Sequence, residues 1–463
     1  MAYRHQRVRD PIHNLIEFRA GEFEDAMWRV IQTRPFQRLR RIKQLGFSEM
    51  IYPGATHTRY AHSLGVFHTA RQLMAVIKEN QTEFKQTKAE RALAAALVHD
   101  VGHGPFSHAF EEFGIANGLR LASHEAVSDR LIRDSEIADV LKSLGSGFHD
   151  DVATVISAEG PQSIYDAVVS SQFDADRLDY MRRDRVMAGS SHGVIDYDWL
   201  VSNLRIGKVA VGIDEAQIGE IDTFVIGTKA IFAADTYVLG LFQLYPAIYF
   251  HKATRGIEKI FSEILNRCFQ MVTDGSAGQT GLPDNHPLIR FMKNPEDLDR
   301  VLELDDAIFT GALSMMAQST DKKVSEFSLR IRDRKLLKCF DLRVEAQRRT
   351  KLPVSDDSAQ IQLDQIVSES VKGVNDWKAE CGASVFYDGY SRSPYKKVQQ
   401  SKGPLNQIMV QEPDGSLVDL GVRSRAVSAI RAYRLDRIYY DPEDAASKAA
   451  IESILDGVCD HVQ

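Results

Sequence analysis

Arg91-Ala-Leu-Ala-Ala-Ala-Leu-Val-His99-Asp100 is an apolar run that ends on two polar side chains, followed at once by Val101-Gly-His103-Gly-Pro105-Phe-Ser-His108. Alanine and leucine favour helix, and a helix so apolar has no face to give to water, so it belongs in an interior. The Gly and Pro residues after it end the helix. An ionised carboxylate and an imidazole at a buried helix end need a compensating partner, and a divalent cation supplies one. The stretch therefore predicts a mainly α fold built round a metal site.

Working outward, His62 lies upstream and Asp176 downstream, in Phe173-Asp174-Ala175-Asp176-Arg177-Leu178-Asp179-Tyr180. Any one of His62, His99, Asp100 and Asp176 alone reads as a core histidine or a salt-bridge partner. Together they form a mixed N/O ligand set that suits Mn, Fe, Zn, Ni or Co and, less readily, Mg. Four protein ligands leave positions open on a six-coordinate ion. Water bound there loses a proton more easily and becomes a nucleophile for phosphorus.

The 463 residues exceed one small core and predict two or three packed units. No apolar segment of about 18 residues is read in the chain, and the stretch Met1 to Pro11 lacks the apolar core of a signal peptide. A cytoplasmic location with no membrane partner is the expectation. Cys268, Cys339, Cys381 and Cys459 are far apart and form no CxxC pair, which predicts free buried thiols. A net charge of -7 argues against a globally basic nucleic-acid binder. Two local clusters oppose that average: Arg34, Arg38, Arg40, Arg41 and Lys43, then Arg177, Arg182, Arg183 and Arg185. Beside a metal site they suit a polyphosphate.

Helical periodicity covers Ala26 to Leu45, Ser63 to Glu79, Lys88 to His99, His124 to Leu144, Asp166 to Met187 and Thr223 to Cys268. The polar, glycine-rich stretch Thr273 to Asn285 reads as a loop or domain edge, with short helices after it. Beyond about residue 325 short alternating segments take over. Gln407 to Gln411 and Ser416 to Leu420 flank a hairpin turn, Glu412-Pro-Asp-Gly415, and Arg434 to Tyr440 supplies another strand. The expected organisation is a helical body over 1–270, a helical extension over 271–325, and a small α+β lobe over 326–463 for assembly or regulation.

The order His62, His99-Asp100, Asp176 resembles the metal set of the HD-domain phosphohydrolase superfamily. The surrounding sequence is similar to its deoxynucleoside triphosphate triphosphohydrolase (dNTPase) branch, above all the HD body of the vertebrate sterile-alpha-motif and HD-domain enzymes. The matching stretches are Asp10-Pro-Ile-His13, Phe36 to Gly46, Tyr52 to Val66, His99 to His108, His124-Glu125 and Asp174 to Asp184.

The resemblance implies hydrolysis of a dNTP to deoxynucleoside and inorganic triphosphate, by attack of metal-activated water at the α-phosphorus. His62, His99, Asp100 and Asp176 would hold one divalent metal, with room for a second Mg on the triphosphate. His103 would touch the phosphates, and His108 would sit near sugar and base. His124 would protonate the leaving 5′-oxygen, oriented by Glu125. Gln44 and Asp184 would bond the 3′-hydroxyl, Leu45 and Tyr249 would crowd C2′, and Arg59, Arg177 and Tyr180 would bind the triphosphate. The resemblance also implies a homo-oligomer and leaves room for a nucleotide activator. The pattern is broken at Leu241 and Tyr245, where the vertebrate enzyme has an arginine and a histidine near substrate. It is also broken at Gln32, where that enzyme has a guanine-reading aspartate, although Gln37 and Arg40 match. Two other readings use the same metal site: a nuclease or single-strand nucleic-acid binder tracking phosphates along the arginine clusters, and a nucleotide sensor with little turnover.

Overall fold

The computed structural model describes residues 5–213, 216–353, 357–397 and 404–462; Met1 to Arg4 of the N-terminal stretch lie outside them. An antiparallel hairpin, β1 (Gln6–Asp10) and β2 (Asn14–Phe18), opens the chain. Then follow α1 (Glu22–Gln32), α2 (Arg34–Arg38), α3 (Arg59–Asn80), α4 (Gln86–Val98), α5 (His108–Ala116), α6 (His124–Arg133), α7 (Glu136–Lys142), α8 (Phe148–Ser157), α9 (Ile164–Ala167), α10 (Ala175–Met187) and α11 (Tyr197–Ser202). The hairpin β3 (Leu204–Ile213) and β4 (Ala216–Gly227) precedes α12 (Ile231–Leu244), a π-turn over Tyr245–Tyr249, and α13 (Lys252–Thr273). Four helices come next: α14 (Pro287–Lys293), α15 (Leu298–Leu302), α16 (Asp306–Met316) and α17 (Lys322–Arg332). The C-terminal part runs β5 (Lys338–Asp341), α18 (Leu342–Thr350), α19 (Asp357–Cys381), β6 (Phe386–Arg392), β7 (Met409–Gln411), β8 (Leu417–Asp419), α20 (Leu420–Arg423), α21 (Arg425–Ala429), β9 (Tyr433–Tyr440) and α22 (Ala445–Val462).

The fold is mainly α, with small sheets. Helix α4 is the apolar run that opened the reading, and Ala92, Ala94, Ala95, Ala96 and Leu97 are wholly buried. Its small side chains let α3 and α8 pack closely against it. Three expected helices are broken by local chemistry. The segment from Ala26 divides at extended Thr33, because Pro35 cannot continue a helix and starts α2 instead. It then ends in a short 3₁₀ turn at Leu39–Arg41, so Gln44 and Leu45 lie in a loop. The segment from His124 divides where Ser135 caps α7 by accepting the Ile137 N–H at 3.1 Å. The segment from Asp166 divides where Asp174 caps α10, accepting the Arg177 N–H at 2.8 Å.

Thr223 belongs to strand β4 rather than to a helix. The alternating β-branched residues of β3 and β4 carry a period of two that the helical reading passed over. The expected hairpin across Glu412 to Gly415 is β7–β8, with Gly415 in the left-handed region at φ 87°. It extends the sheet of the body, since β7 pairs in parallel with β4 in the order β3-β4-β7-β8. A second sheet, β5-β9-β6, has its own apolar core with α18, α19 and α22, formed by Phe340, Leu363, Ile366, Ile438, Ile451 and Leu455.

Thr228–Tyr249 corrects one sequence expectation: with a mean hydropathy of 1.3 over its best window it is long and apolar enough to cross a bilayer. Half of that window is buried inside the protein, including Tyr237, Val238, Leu241 and Leu244, as in a core helix. The four cysteines are free, and Cys381 is exposed rather than buried.

Candidate active site

Three helices deliver the metal-ligand candidates. His62 lies in the first turn of α3, His99 and Asp100 follow the last turn of α4, and Asp176 lies in the first turn of α10. His62, His99 and Asp100 each present a ligand atom within 4.8 Å of the others. Asp176 Oδ1 stands 2.9 Å from His62 Nε2 and 3.7 Å from His99 Nε2.

The tautomers fit a cation. His99 Nδ1–H donates to the Ala96 carbonyl at 3.0 Å, which leaves Nε2 as a bare lone pair, buried and without a hydrogen-bond partner. His62 Nδ1–H donates to Asp179 at 2.8 Å, so its Nε2 also faces carboxylates as an acceptor. Burial opposes a charge on His62, but Asp176 and Asp179 override it and push the imidazole up to about 10. Two lone pairs facing at hydrogen-bond distance require a positive species between them, a proton or a metal ion. Binding a metal here would release that proton.

Behind His62, Asp179 is fully buried and also accepts from His13 Nε2 at 2.6 Å and Arg183 Nε at 2.8 Å. Arg183 continues to Asp10 at 2.8 Å, so the N-terminal hairpin is tied to the site. Burial would raise Asp179, yet Arg183, His13 and His62 hold it well below the usual carboxylate range. Gly65 makes room for this network: a Cβ there would stand 2.0 Å from Asp179 Oδ1.

Asp100 and Asp176 open onto a cleft of about 600 Å³ whose walls also include Gln44, Leu45, Arg59, His103, His108, His124, Tyr180, Asp184 and Tyr249. Two loops that shape it are pinned from α16. Asp306 accepts the Lys43 N–H at 2.9 Å and the Phe106 N–H at 2.8 Å. Phe106 and Ser107 sit at φ 53° and 55°, a left-handed conformation costly for non-glycine residues, and such strain is characteristic of functional loops.

His103 and His124 stack, with centroids 4.0 Å apart and planes at 8°. Their environments separate them. Burial, then the charges of Arg59 and His124, keep His103 neutral, and its Nε2–H donates to Asp100 at 3.1 Å. Burial also opposes a proton on His124, but Glu111 hydrogen-bonds its Nδ1 and raises it above the ordinary imidazole value. Glu111 accepts the His124 backbone N–H at 3.0 Å and His108 Nδ1–H at 2.8 Å. This corrects the expected orienting residue: Glu125 points to solvent in the first turn of α6, and the carboxylate comes from α5. Residue 111 lies 13 positions from His124, and nothing local in the sequence joins them.

On the opposite wall Asp184 accepts from His57 Nε2 at 2.8 Å and from the Tyr249 hydroxyl at 2.9 Å. Gln44 Oε1 is buried without a partner. Arg59 donates to Ser107 Oγ at 2.8 Å and to Asp100. Arg177 is not on the cleft wall; its Nε lies 3.7 Å from Asp174. The cleft also gains residues that the sequence did not single out, among them Glu111, Arg255, Glu258, Phe250, Tyr390 and Arg392. Tyr390 and Arg392 lie on β6, so the C-terminal lobe forms part of the wall. The two arginine clusters are largely spent within the fold. Arg41 pairs with Asp305, Lys43 with Glu49, Arg183 with Asp10 and Asp179; Arg40 stacks on Tyr60, Arg182 on Tyr197, and buried Arg38 donates to the Leu304 carbonyl.

Residues 59–181 match the family model of the HD domain, and all four metal-ligand candidates fall inside the match. Those residues thus carry an HD domain. More particularly, the chain is 29% identical over 443 residues to the uncharacterized protein YwfO of Bacillus subtilis, across 94% of this chain and 92% of that protein. It is also 29% identical over 356 residues to the deoxynucleoside triphosphate triphosphohydrolase SAMHD1 of Mus musculus, across 68% of this chain and 50% of that protein. A solved phosphohydrolase from Bacteroides thetaiotaomicron shares the fold, with a TM-score of 0.69 over 94% of this chain and 100% of that one at 24% identity.

Proposed function

We propose that the chain hydrolyses dNTPs to deoxynucleoside and inorganic triphosphate. The observation that supports this best is one cleft lined jointly by Asp100 and Asp176, by His103 and His124, and by Gln44, Leu45, Asp184 and Tyr249. His62, His99, Asp100 and Asp176 would hold one divalent ion, which when bound supplies Lewis acidity to water and phosphoryl oxygen. A water oxygen adds to the α-phosphorus, the bond from that phosphorus to the 5′-oxygen breaks, and the three phosphates leave together. His124, whose hold on its proton Glu111 strengthens, gives that proton to the departing 5′-oxygen. Neutral His103 and Arg59 face the phosphates, with Tyr180 beside them; His108 stands at the cleft mouth, its side chain 73% exposed. Arg177, off the cleft wall, is given no phosphate contact in this reading.

Gln44 Oε1 has an unused acceptor for the 3′-hydroxyl, and Asp184 shares that role while anchored by His57 and Tyr249. Leu45 and Tyr249 form the wall that a 2′-hydroxyl would meet. Such a wall discriminates on the order of 10²-fold. Manganese as the resident ion, Mg on the triphosphate, a nucleotide activator and a homo-oligomer belong to the same proposal. The test is chromatography of products from each dNTP and NTP, singly and mixed, with Mn, Mg or Co. Deoxynucleoside plus triphosphate with ribonucleotides spared is the expected result; monophosphate products, or equal cleavage of NTPs, would overturn it.

A further inference from the structure

Three guanidinium groups line the cleft, those of Arg59, Arg255 and Arg392. Two are already neutralised. Arg59 is bound to Asp100 and Ser107. Arg255 donates to Asp388 at 2.9 Å, to Glu258 at 2.8 Å and to Glu112 at 3.0 Å. Arg392 has no carboxylate partner among the described residues; it is hydrogen-bonded to the Tyr245 phenol and lies near those of Tyr390 and Tyr180. It is a cation in a ligand-sized cleft whose charge no carboxylate among the described residues neutralises.

The position of Arg392 is fixed by the fold. Alternate residues of a strand share a face, so Asp388, Tyr390 and Arg392 of β6 point the same way. Asp388 is buried against Arg255 and, at 3.2 Å, Lys259, which anchors this face of β6 to α13. Two residues on, Tyr390 packs on Phe250 with ring centroids 4.6 Å apart. Arg392 comes two residues later, paired across the sheet with Tyr433, whose ring stacks on Phe250 from the same strand register. The anchored edge strand of a separate lobe thus carries a guanidinium, bonded to a phenol but to no carboxylate, to the wall of the cleft.

We propose that Arg392 is a polyphosphate-binding residue, through which the C-terminal lobe completes the substrate site of the helical body. The inference rests on the dNTP reading, because the triphosphate is the only strongly anionic part of that substrate. A planar guanidinium is suited to phosphate oxygens in pairs, and a lysine would replace its charge but not its fork.

The test is calorimetric binding of inorganic tripolyphosphate, and separately of a deoxynucleoside, to the Mn-loaded full chain and to its Arg392→Gln and Arg392→Lys variants. Circular dichroism and melting confirm that the variants fold. Arg392→Gln is expected to weaken tripolyphosphate binding about tenfold or more, to leave deoxynucleoside binding unchanged, and to raise KM for dNTP more than it lowers kcat. Arg392→Lys should recover part of the loss. Unchanged tripolyphosphate affinity, or an equal loss for both ligands, would overturn the assignment. A wild-type chain that binds tripolyphosphate through Arg392 without cleaving dNTPs would sink the hydrolysis reading alone. One that cleaves dNTPs while Arg392→Gln binds tripolyphosphate normally would sink the arginine alone.

Discussion

At the scale of single residues, the site works by separating groups of the same kind. His103 and His124 are stacked imidazoles, yet burial and the nearby positive charge of Arg59 hold one neutral while Glu111 raises the other above the ordinary imidazole value. Glu111→Gln removes the carboxylate that raises His124. Since the acid acts in its protonated form, activity is lost as pH rises through the His124 pKa. The alkaline limb of the kcat profile in Glu111→Gln should therefore move to lower pH, with kcat reduced about 10²-fold; an unmoved limb would reject the pairing. Glu125→Gln should leave that limb in place. His99→Ala and Asp176→Ala should lose bound metal and turnover together, whereas His124→Ala should keep its metal and lose rate, as metal analysis beside kinetics would show. His62, His99, Asp100 and Asp176 were legible because they lie in strong local sequence contexts. Glu111 was not, because it reaches His124 only through the approach of α5 to α6.

At the scale of elements, close packing of α3 and α10 brings the candidate ligands His62 and Asp176 together. Gly65→Ala would drive a methyl group into the buried Asp179–Arg183 pair. The expected cost is about 3 kcal/mol or more, from overpacking and a broken buried pair. Weaker metal binding should accompany it, and chemical denaturation with metal titration checks both; a stability equal to wild type would contradict the packing account. Apolar periodicity revealed α3, α4 and α10 well, since their burial is written in every turn. It failed at Thr33, Ser135 and Asp174, where one capping or extended residue ends a helix without interrupting the apolar pattern. It failed also at β3 and β4, whose strand character competes with helical spacing over the same apolar residues.

At the scale of the whole molecule, the candidate metal site and the C-terminal lobe share one cleft. The proposed metal ligands come from three helical segments, so a bound ion should stabilise the native chain by about 2.7 kcal/mol at a hundredfold excess over Kd. The accompanying rise in Tm should vanish in His99→Ala; an equal rise in that variant would place the ion elsewhere. The C-terminal lobe could be foreseen as α+β from its hairpin and its alternating strand. Its contribution to the cleft could not, because Tyr390 and Arg392 meet Tyr245 and Phe250 only across a long chain separation. The central claim is that water oxygen enters at the α-phosphorus and the bond to the 5′-oxygen breaks. Turnover of a dNTP in water labelled with heavy oxygen, read by mass spectrometry, tests it directly. The account predicts one heavy oxygen in the released triphosphate and none in the deoxynucleoside; label in the deoxynucleoside, or in a released monophosphate, would contradict it.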